Sequence, residues 1–286
     1  MRIVITFLFI IIFSNNYSQT SVTNKVTQTY IPKDSLKKEF VGKTLIDDQV
    51  HIWTSPFRIK TKDLVYLLPI GVVAGLTIKY DEDIHRNVMQ FKNDNSWVSK
   101  VSPQLTHGGE LPVVGGVTFL FYAGGYLLKD DKAMQTGALA VNALVDATIV
   151  VEVLKTIAGR QRPRVGEAKN VWNFIPTSLK QFTGENPDKY NSFPSGHTIT
   201  AFTLATVIAQ QYKETIYVPI IAYTIATGVG LSRTTENAHW LSDVMIGAAL
   251  GYGIGKFVAQ KHKKTNWVIF PTSWNNNLML TGIYRL

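Results

Sequence analysis

The sequence predicts an all-α protein, and three observations support this. Six apolar segments follow one another along the chain, and each is long enough to form a helix. None shows the strict apolar–polar alternation of a half-buried strand. The chain also has no cysteine, so no disulfide framework holds a loop-rich fold together. The six segments cover residues 64–78, 111–128, 133–157, 197–212, 216–231 and 244–259.

The N-terminus has the pattern of a secretory signal peptide over residues 1–18. Arg2 supplies a short basic region, residues 3–13 are apolar, and the small Ser18 precedes the expected cleavage point. The apolar run is short for a bilayer span, and a signal anchor is the alternative. We therefore expect an exported protein of the cell envelope.

A polar arm, residues 19–63, follows the signal peptide and precedes the main domain, residues 64–260. Trp53 and Phe57 near the end of the arm are expected to rest against the domain or at a membrane interface. The C-terminal tail, residues 261–286, has strand-like ends around residues 274–277, which indicates a hairpin.

Composition narrows the class of function. The net charge is +9, but no basic stretch is interleaved with exposed aromatic residues, so nucleic-acid binding is not expected. Part of the positive charge lies at 256–264, directly after the last apolar segment. His51, His85 and His107 have no partner at a functional spacing and are predicted to be surface residues.

Three polar motifs at the ends of apolar segments carry the chemistry. They are Lys155-x6-Arg162-Pro163, Pro194-Ser195-Gly196-His197 and Ser232-Arg233-x5-His239-x3-Asp243. The arginines can each grip phosphoryl oxygens with a planar fork, and the lysine adds a point charge. Together the motifs predict a site that holds a tetrahedral oxyanion and transfers it through histidine.

His239 and Asp243 are four residues apart, so on a helix they share a face. The carboxylate can then accept a hydrogen bond from one imidazole nitrogen and leave the other free to attack phosphorus. Ser195 stands at the N-cap of the following helix, whose free N–H groups suit an anion. Gly196 lets the backbone approach that anion, and His197 remains as an acid for the leaving oxygen.

Each of these residues alone has an ordinary structural explanation, as a cap, a surface group or a helix start. The prediction rests on their occurrence together, in order, at segment ends. On this combination the chain resembles the type 2 phosphatidic acid phosphatase (PAP2) superfamily, which includes bacterial acid phosphatases and vanadium-dependent haloperoxidases. The resemblance covers roughly residues 64–260, and all three motifs are intact.

The resemblance implies a six-helix bundle and a metal-independent phosphatase without a cofactor. It implies His239 as the phosphohistidine-forming nucleophile, Asp243 as its orienting partner and His197 as the general acid. Five residues would bind the phosphoryl oxygens: Lys155, Arg162, Ser195, Gly196 and Arg233. The implied substrate is a lipid phosphate, a lipid pyrophosphate or a small phosphate ester.

Two other functions fit the same fold. A vanadate-dependent haloperoxidase would hold vanadate in the same anion site, and a non-catalytic envelope protein would keep the fold without turnover. Mean hydropathy is only +0.05, which is low for a protein that lies mostly in lipid. A soluble periplasmic bundle is therefore an alternative to the membrane-associated form. With the signal removed, six crossings would place Lys155 and Arg162 inside, whereas omitting 64–78 as a span returns every motif to the outer face. We expect membrane association with an outward-facing site.

Overall fold

The structure is a computed structural model that describes residues 41–165, 169–174, 189–261, 266–274 and 277–285. Within these ranges the chain forms eight α-helices, a short 3-10 helix at Ser55–Arg58 and one two-stranded hairpin. The helices are α1 Val41–Thr54, α2 Thr61–Asp94, α3 Ser96–His107, α4 Leu111–Leu128, α5 Asp131–Ala158, α6 Gly196–Gln211, α7 Tyr217–Thr235 and α8 Leu241–Lys261. The predicted signal peptide and the first part of the arm, up to residue 40, lie outside the described residues.

The all-α prediction is confirmed, and each of the six predicted segments is a helix. Two helices, α1 and α3, were not predicted, and α2 continues well beyond 78 to Asp94. The continuation is polar on one face and buries Asp81 and His85 against its neighbours, so an apolar run could not reveal it. Pro103 lies inside α3 and masks that helix in the sequence.

Local signals account for the helix ends that flank the functional motifs. Asp130 caps α5 by accepting hydrogen bonds from the N–H groups of Lys132 and Ala133. Gly159 ends α5 with φ of 51°, a left-handed conformation that glycine adopts without steric cost. Ser195 is the N-cap of α6, as predicted, and its hydroxyl accepts from the N–H of Thr198.

The core lies where α5, α6 and α8 meet. Fully buried aliphatic side chains from the three helices form it, including Val150, Ile199, Val207 and Val258. A glycine stripe on α8 packs directly on α6: a Cβ added at Gly251 would lie 2.6 Å from the carbonyl oxygen of Ile199. The absence of a side chain at this glycine therefore lets α6 and α8 pack closely.

In the part of the chain that the structure describes, three helices are long and apolar enough to cross a membrane, namely Leu111–Leu128, Asp131–Ala158 and Leu241–Lys261. α4 is the least covered by protein, since only 17% of its apolar window is buried. Leu127 and Leu128 near its end are among the most exposed large apolar side chains. Exposed apolar surface of this extent is typical of a protein that contacts lipid.

The predicted arm and tail also contain ordered structure. Phe57 is 88% exposed, while Gln49 on α1 donates to the Asp146 carboxylate on α5 over 2.8 Å, so α1 packs on the bundle. The tail forms an antiparallel hairpin, β1 Asn266–Trp274 and β2 Asn277–Arg285, in which Trp274 pairs with Asn277. The hairpin belongs to a compact unit other than the helical one, Leu45–Lys263.

Candidate active site

The predicted site residues come together where α5 and α7 end and α6 and α8 begin. Lys155 lies in the last turn of α5, His197 in the first turn of α6, Arg233 in the last turn of α7 and Asp243 in the first turn of α8. The positive N-terminus of α6 therefore lies in the same region as the cations of Lys155 and Arg233. An anion placed there would meet positive charge from several elements.

His239 lies in the short connection before α8 and is only 2% exposed. Its Nδ1 is 2.7 Å from the carbonyl oxygen of Ser192, and because that oxygen only accepts, Nδ1 carries the proton. The nearest oxygen of Asp243 is 3.6 Å from Nδ1. The sequence predicted a direct hydrogen bond to Asp243, whereas in the structure a backbone carbonyl fixes the tautomer and Asp243 acts from beyond hydrogen-bonding distance.

The Asp243 carboxylate accepts hydrogen bonds from three donors in the interior. Oδ2 accepts from the Ser192 hydroxyl at 2.5 Å and from the N–H of Trp240 at 3.0 Å. Oδ1 accepts from Arg160 at 2.5 Å. Both oxygens of the carboxylate are therefore occupied, and one of them binds Ser192, the residue whose carbonyl orients His239.

Arg162 faces the free nitrogen of His239. Its Nη1 is 3.4 Å from Nε2 of the imidazole and 3.3 Å from the carbonyl oxygen of Ala238. Its Nε donates to Asn191 at 2.6 Å, which orients the guanidinium. The lone pair of Nε2 therefore points towards a cation that can bind a phosphoryl group.

Arg233 is buried to 8% exposure and reaches the site from the end of α7. Its Nη1 donates to the Thr106 hydroxyl at 3.2 Å, and Thr106 bonds the Ser232 hydroxyl at 2.8 Å. Among the described residues its Nε has no hydrogen-bond partner. A buried guanidinium N–H in this state is suited to a ligand oxygen.

Lys155 and Gly196 approach each other closely. A Cβ added at Gly196 would lie 3.4 Å from Nζ of Lys155, so the ammonium group lies within contact distance of the start of α6. The N–H of Ser195 is already used, since it donates to the carbonyl oxygen of Asp243 at 3.1 Å. The group of Ser195 that can bind an anion is therefore the hydroxyl.

The two histidines are both held neutral by their surroundings. Burial, followed by the charge of Arg233, lowers the pKa of His197 to about 4, while Glu110 acts in the opposite direction. Burial, followed by the charges of Arg162, Arg233 and Lys155, lowers the pKa of His239 well below 6.5. The same three cations lower the pKa of both imidazoles.

Three residues that contact this site were missed by the sequence reasoning. Ser192 orients His239, Arg160 binds Asp243, and Asp81 binds Arg160. Arg160 lies inside the first motif, two residues before Arg162, and this proximity was the available signal. Asp81 is distant in sequence, in an acidic stretch that resembles an ordinary helix end.

The surface prediction is wrong for His85. This residue is 8% exposed, and its ring packs edge-on against Trp240, with centroids 5.5 Å apart. His51 and His107 are exposed, as predicted. His85 thus supports the residue next to His239 instead of facing solvent.

Acidic side chains near the site are engaged by cations. Asp81 and Asp243 both bind Arg160, and Glu152 binds Lys155 at 3.3 Å. Over the described ranges, no three His, Cys, Asp or Glu side chains form a group that could hold a metal ion. The cationic side chains of the site suit a phosphate.

Residues 136–267 match the sequence model of the PAP2 superfamily, so the predicted resemblance is confirmed. A lipid A 1-phosphatase of Porphyromonas gingivalis is 45% identical over 67 residues, 23% of this chain and 15% of that protein. A probable diacylglycerol pyrophosphate phosphatase of Schizosaccharomyces pombe is 30% identical over 135 residues, 38% of this chain and 47% of that protein. The chain thus spans less than half the length of these two relatives.

A solved structure has the same fold. The PAP2-type phosphatidylglycerolphosphate phosphatase from Bacillus subtilis superposes with a TM-score of 0.53 at 22% identity, covering 72% of this chain and 98% of that one. The likeness shows the all-α architecture. At this identity the comparison supports the fold alone, and the chemistry is argued from the site residues described above.

Proposed function

We infer that this chain, which carries the PAP2 match over residues 136–267, is a phosphatase that removes a terminal phosphate through a phosphohistidine intermediate. The observation that carries the proposal is the pairing of the buried His239 with Arg162. One imidazole nitrogen is committed to the Ser192 carbonyl, and the other lies 3.4 Å from a guanidinium. The proposed nucleophile, Nε2 of His239, thus lies directly beside the guanidinium proposed to bind the phosphate.

In the first step, Nε2 of His239 attacks phosphorus in line, and the bond from phosphorus to the leaving oxygen breaks. Lys155, Arg162 and Arg233 neutralise charge on the equatorial oxygens, with the Ser195 hydroxyl and the Gly196 backbone beside them. The imidazole becomes cationic as the new P–N bond forms. Asp243, 3.6 Å from Nδ1, stabilises that charge.

His197 supplies the proton to the departing oxygen. Because the pKa of His197 is about 4, the imidazole is neutral in the free protein at neutral pH. The approach of a phosphate dianion raises this pKa by favouring the imidazolium. Neutral His197 then takes a proton from the water molecule that hydrolyses the phosphohistidine.

The proposed substrate is a lipid phosphate or lipid pyrophosphate, with small phosphate esters as the soluble alternative. The names of the relatives point to lipid phosphates, and the exposed apolar surface of α4 supports membrane association. The site lies at the end of the bundle where α8 begins, so a headgroup can reach it while its chains stay in lipid. The signal peptide predicted from the sequence is consistent with an outward-facing site in the envelope.

Phosphate release by the purified full-length protein tests the function. The panel holds a lipid A phosphate, phosphatidylglycerol phosphate, phosphatidic acid, undecaprenyl pyrophosphate and p-nitrophenyl phosphate, each with and without a chelator. We expect release from at least one lipid, unchanged by the chelator and lost in His239→Ala. Release from none of them would overturn the proposal, and halide oxidation with vanadate and peroxide would identify a haloperoxidase instead.

A further inference from the structure

We propose that Asp81 and Arg160 are positioning residues for His239, an inference that rests on the proposed phosphatase function. With Asp243 they form a buried carboxylate–guanidinium–carboxylate bridge. The bridge joins α2, the segment after α5 and the start of α8. We refer to Asp81, Arg160 and Asp243 as the buried bridge.

The guanidinium of Arg160 is held on every side. Nη2 is 2.7 Å from Oδ2 of Asp81, Nη1 is 2.5 Å from Oδ1 of Asp243, and all three side chains are 0% exposed. Nε and Nη2 also donate to the amide oxygen of Asn170, at 3.0 and 2.8 Å. The indole of Trp172 lies 4.6 Å from the guanidinium carbon, which adds a cation–π contact.

Asp81 also fixes the first turn of α8. Its Oδ1 accepts from the N–H of Ser242 at 3.1 Å, and its Oδ2 accepts from the Ser242 hydroxyl. A carboxylate at a helix N-terminus satisfies free N–H groups there. Asp81 thus holds the residue beside Asp243 as well as the cation that binds Asp243.

The buried bridge reaches His239 by a continuous path. The carbonyl oxygen of Arg160 accepts from the N–H of Ser192 at 3.0 Å, and the Ser192 hydroxyl donates to Asp243 at 2.5 Å. The carbonyl of Ser192 in turn accepts from Nδ1 of His239 at 2.7 Å. Loss of the bridge would therefore disturb the acceptor that sets the tautomer of the nucleophile.

Charge balance gives Asp81 a second role. Two carboxylates and one guanidinium leave the bridge with one net negative charge. Without Asp81, the Arg160 cation would be balanced by Asp243 alone, and the cluster near His239 would be neutral. The cation that develops on His239 during attack would then lose a stabilising charge.

Burial of three charges is not favourable in itself, since desolvation can exceed the attraction between them. A purely structural role would lower the stability of an Asp81→Asn variant without altering the nucleophile in the folded fraction. Positioning predicts a change at the imidazole itself. The two roles can therefore be separated.

The test compares Asp81→Asn with Asp83→Asn in the full-length protein in detergent. Asp83 lies on the same helix, but its side chain is 56% exposed and pairs with Arg86. For Asp81→Asn we expect kcat to fall about 10- to 100-fold, the range typical when an outer partner of a functional group is removed. KM should change by less than about threefold, because the anion-binding cations are untouched. Asp83→Asn should match the wild type.

Nitrogen-15 NMR of histidine-labelled protein supplies a readout that needs no turnover. The Nδ1–H signal of His239, identified by its absence in His239→Gln, should be sharp in the wild type and shifted or broadened in Asp81→Asn. If Asp81→Asn does not fold, Asn170→Ala serves instead, since it removes two hydrogen bonds to Arg160 and leaves the charges in place. An unchanged Nδ1–H signal in the folded variant overturns the inference, whereas a wild type without phosphatase activity overturns only the proposed function.

Discussion

Nε2 of His239 lies 3.4 Å from Nη1 of Arg162, so the nitrogen that can attack phosphorus faces a group that can bind phosphate. The opposite ring nitrogen is committed to the Ser192 carbonyl at 2.7 Å. This arrangement holds the lone pair in place before any substrate arrives. Preorganisation of this kind lowers the cost of reaching the transition state.

Replacement of His239 by alanine should reduce phosphate release by at least about 10³-fold, as expected when a covalent nucleophile is removed. Acid-labile, alkali-stable phosphoprotein should form in the wild type and not in the variant. His51→Ala, at an exposed position, is the matched control and should behave as the wild type. Near-normal turnover by His239→Ala would show that another group attacks phosphorus.

Replacement of His197 by alanine should slow poor leaving groups more than good ones. An alkyl or lipid phosphate needs a proton on the departing oxygen, so its kcat/KM should fall about 10²- to 10⁴-fold. p-Nitrophenyl phosphate leaves as a stabilised anion and should lose far less. Steady-state rates on both substrates measure the difference, and equal losses would contradict the role of His197 as the acid.

The stability of the protein should fall as the pH drops below 6.5, in part through His239. The pKa of buried His239 lies well below 6.5 in the folded state, so the unfolded chain takes up a proton that the folded protein does not. The contribution is fully present above pH 6.5, and it falls by up to about 1.4 kcal/mol per pH unit below it. Thermal unfolding of wild type and His239→Asn between pH 5 and 8 gives the comparison, in which the variant should show the weaker dependence.

Contact between α6 and α8 can be tested at two glycines of α8. A Cβ at Gly251 would lie 2.6 Å from the Ile199 carbonyl oxygen, whereas a Cβ at Gly253 would have nothing within 4 Å. Gly251→Ala should lower the free energy of unfolding by about 1–3 kcal/mol through overpacking. Gly253→Ala should be neutral or stabilising, because alanine is the better helix former by up to about 1 kcal/mol. Equal melting temperatures for the two variants would contradict the prediction, because they would show that α6 and α8 accommodate a side chain at position 251 without loss of stability.

The extent of sequence prediction differs between elements for identifiable reasons. Ser195 and the helix that it caps were predicted, because a cap and its apolar run are adjacent in sequence. The end of α2 was not, since its polar residues are buried by partners on α8. For His85, the absence of a local partner suggested a surface position, whereas the ring of Trp240 covers it in the fold.

The amino-acid sequence by itself determined the helical class of the protein and the residue types of the site. Motif spacing and helix-end signals are local properties, so they can be recognised in the sequence without knowledge of the fold. Only the tertiary structure decided that Ser192 orients His239 and that Arg160, held by Asp81, supports Asp243. Those contacts join residues far apart in the chain, and their geometry depends on how α2 and α8 pack, which no local pattern encodes.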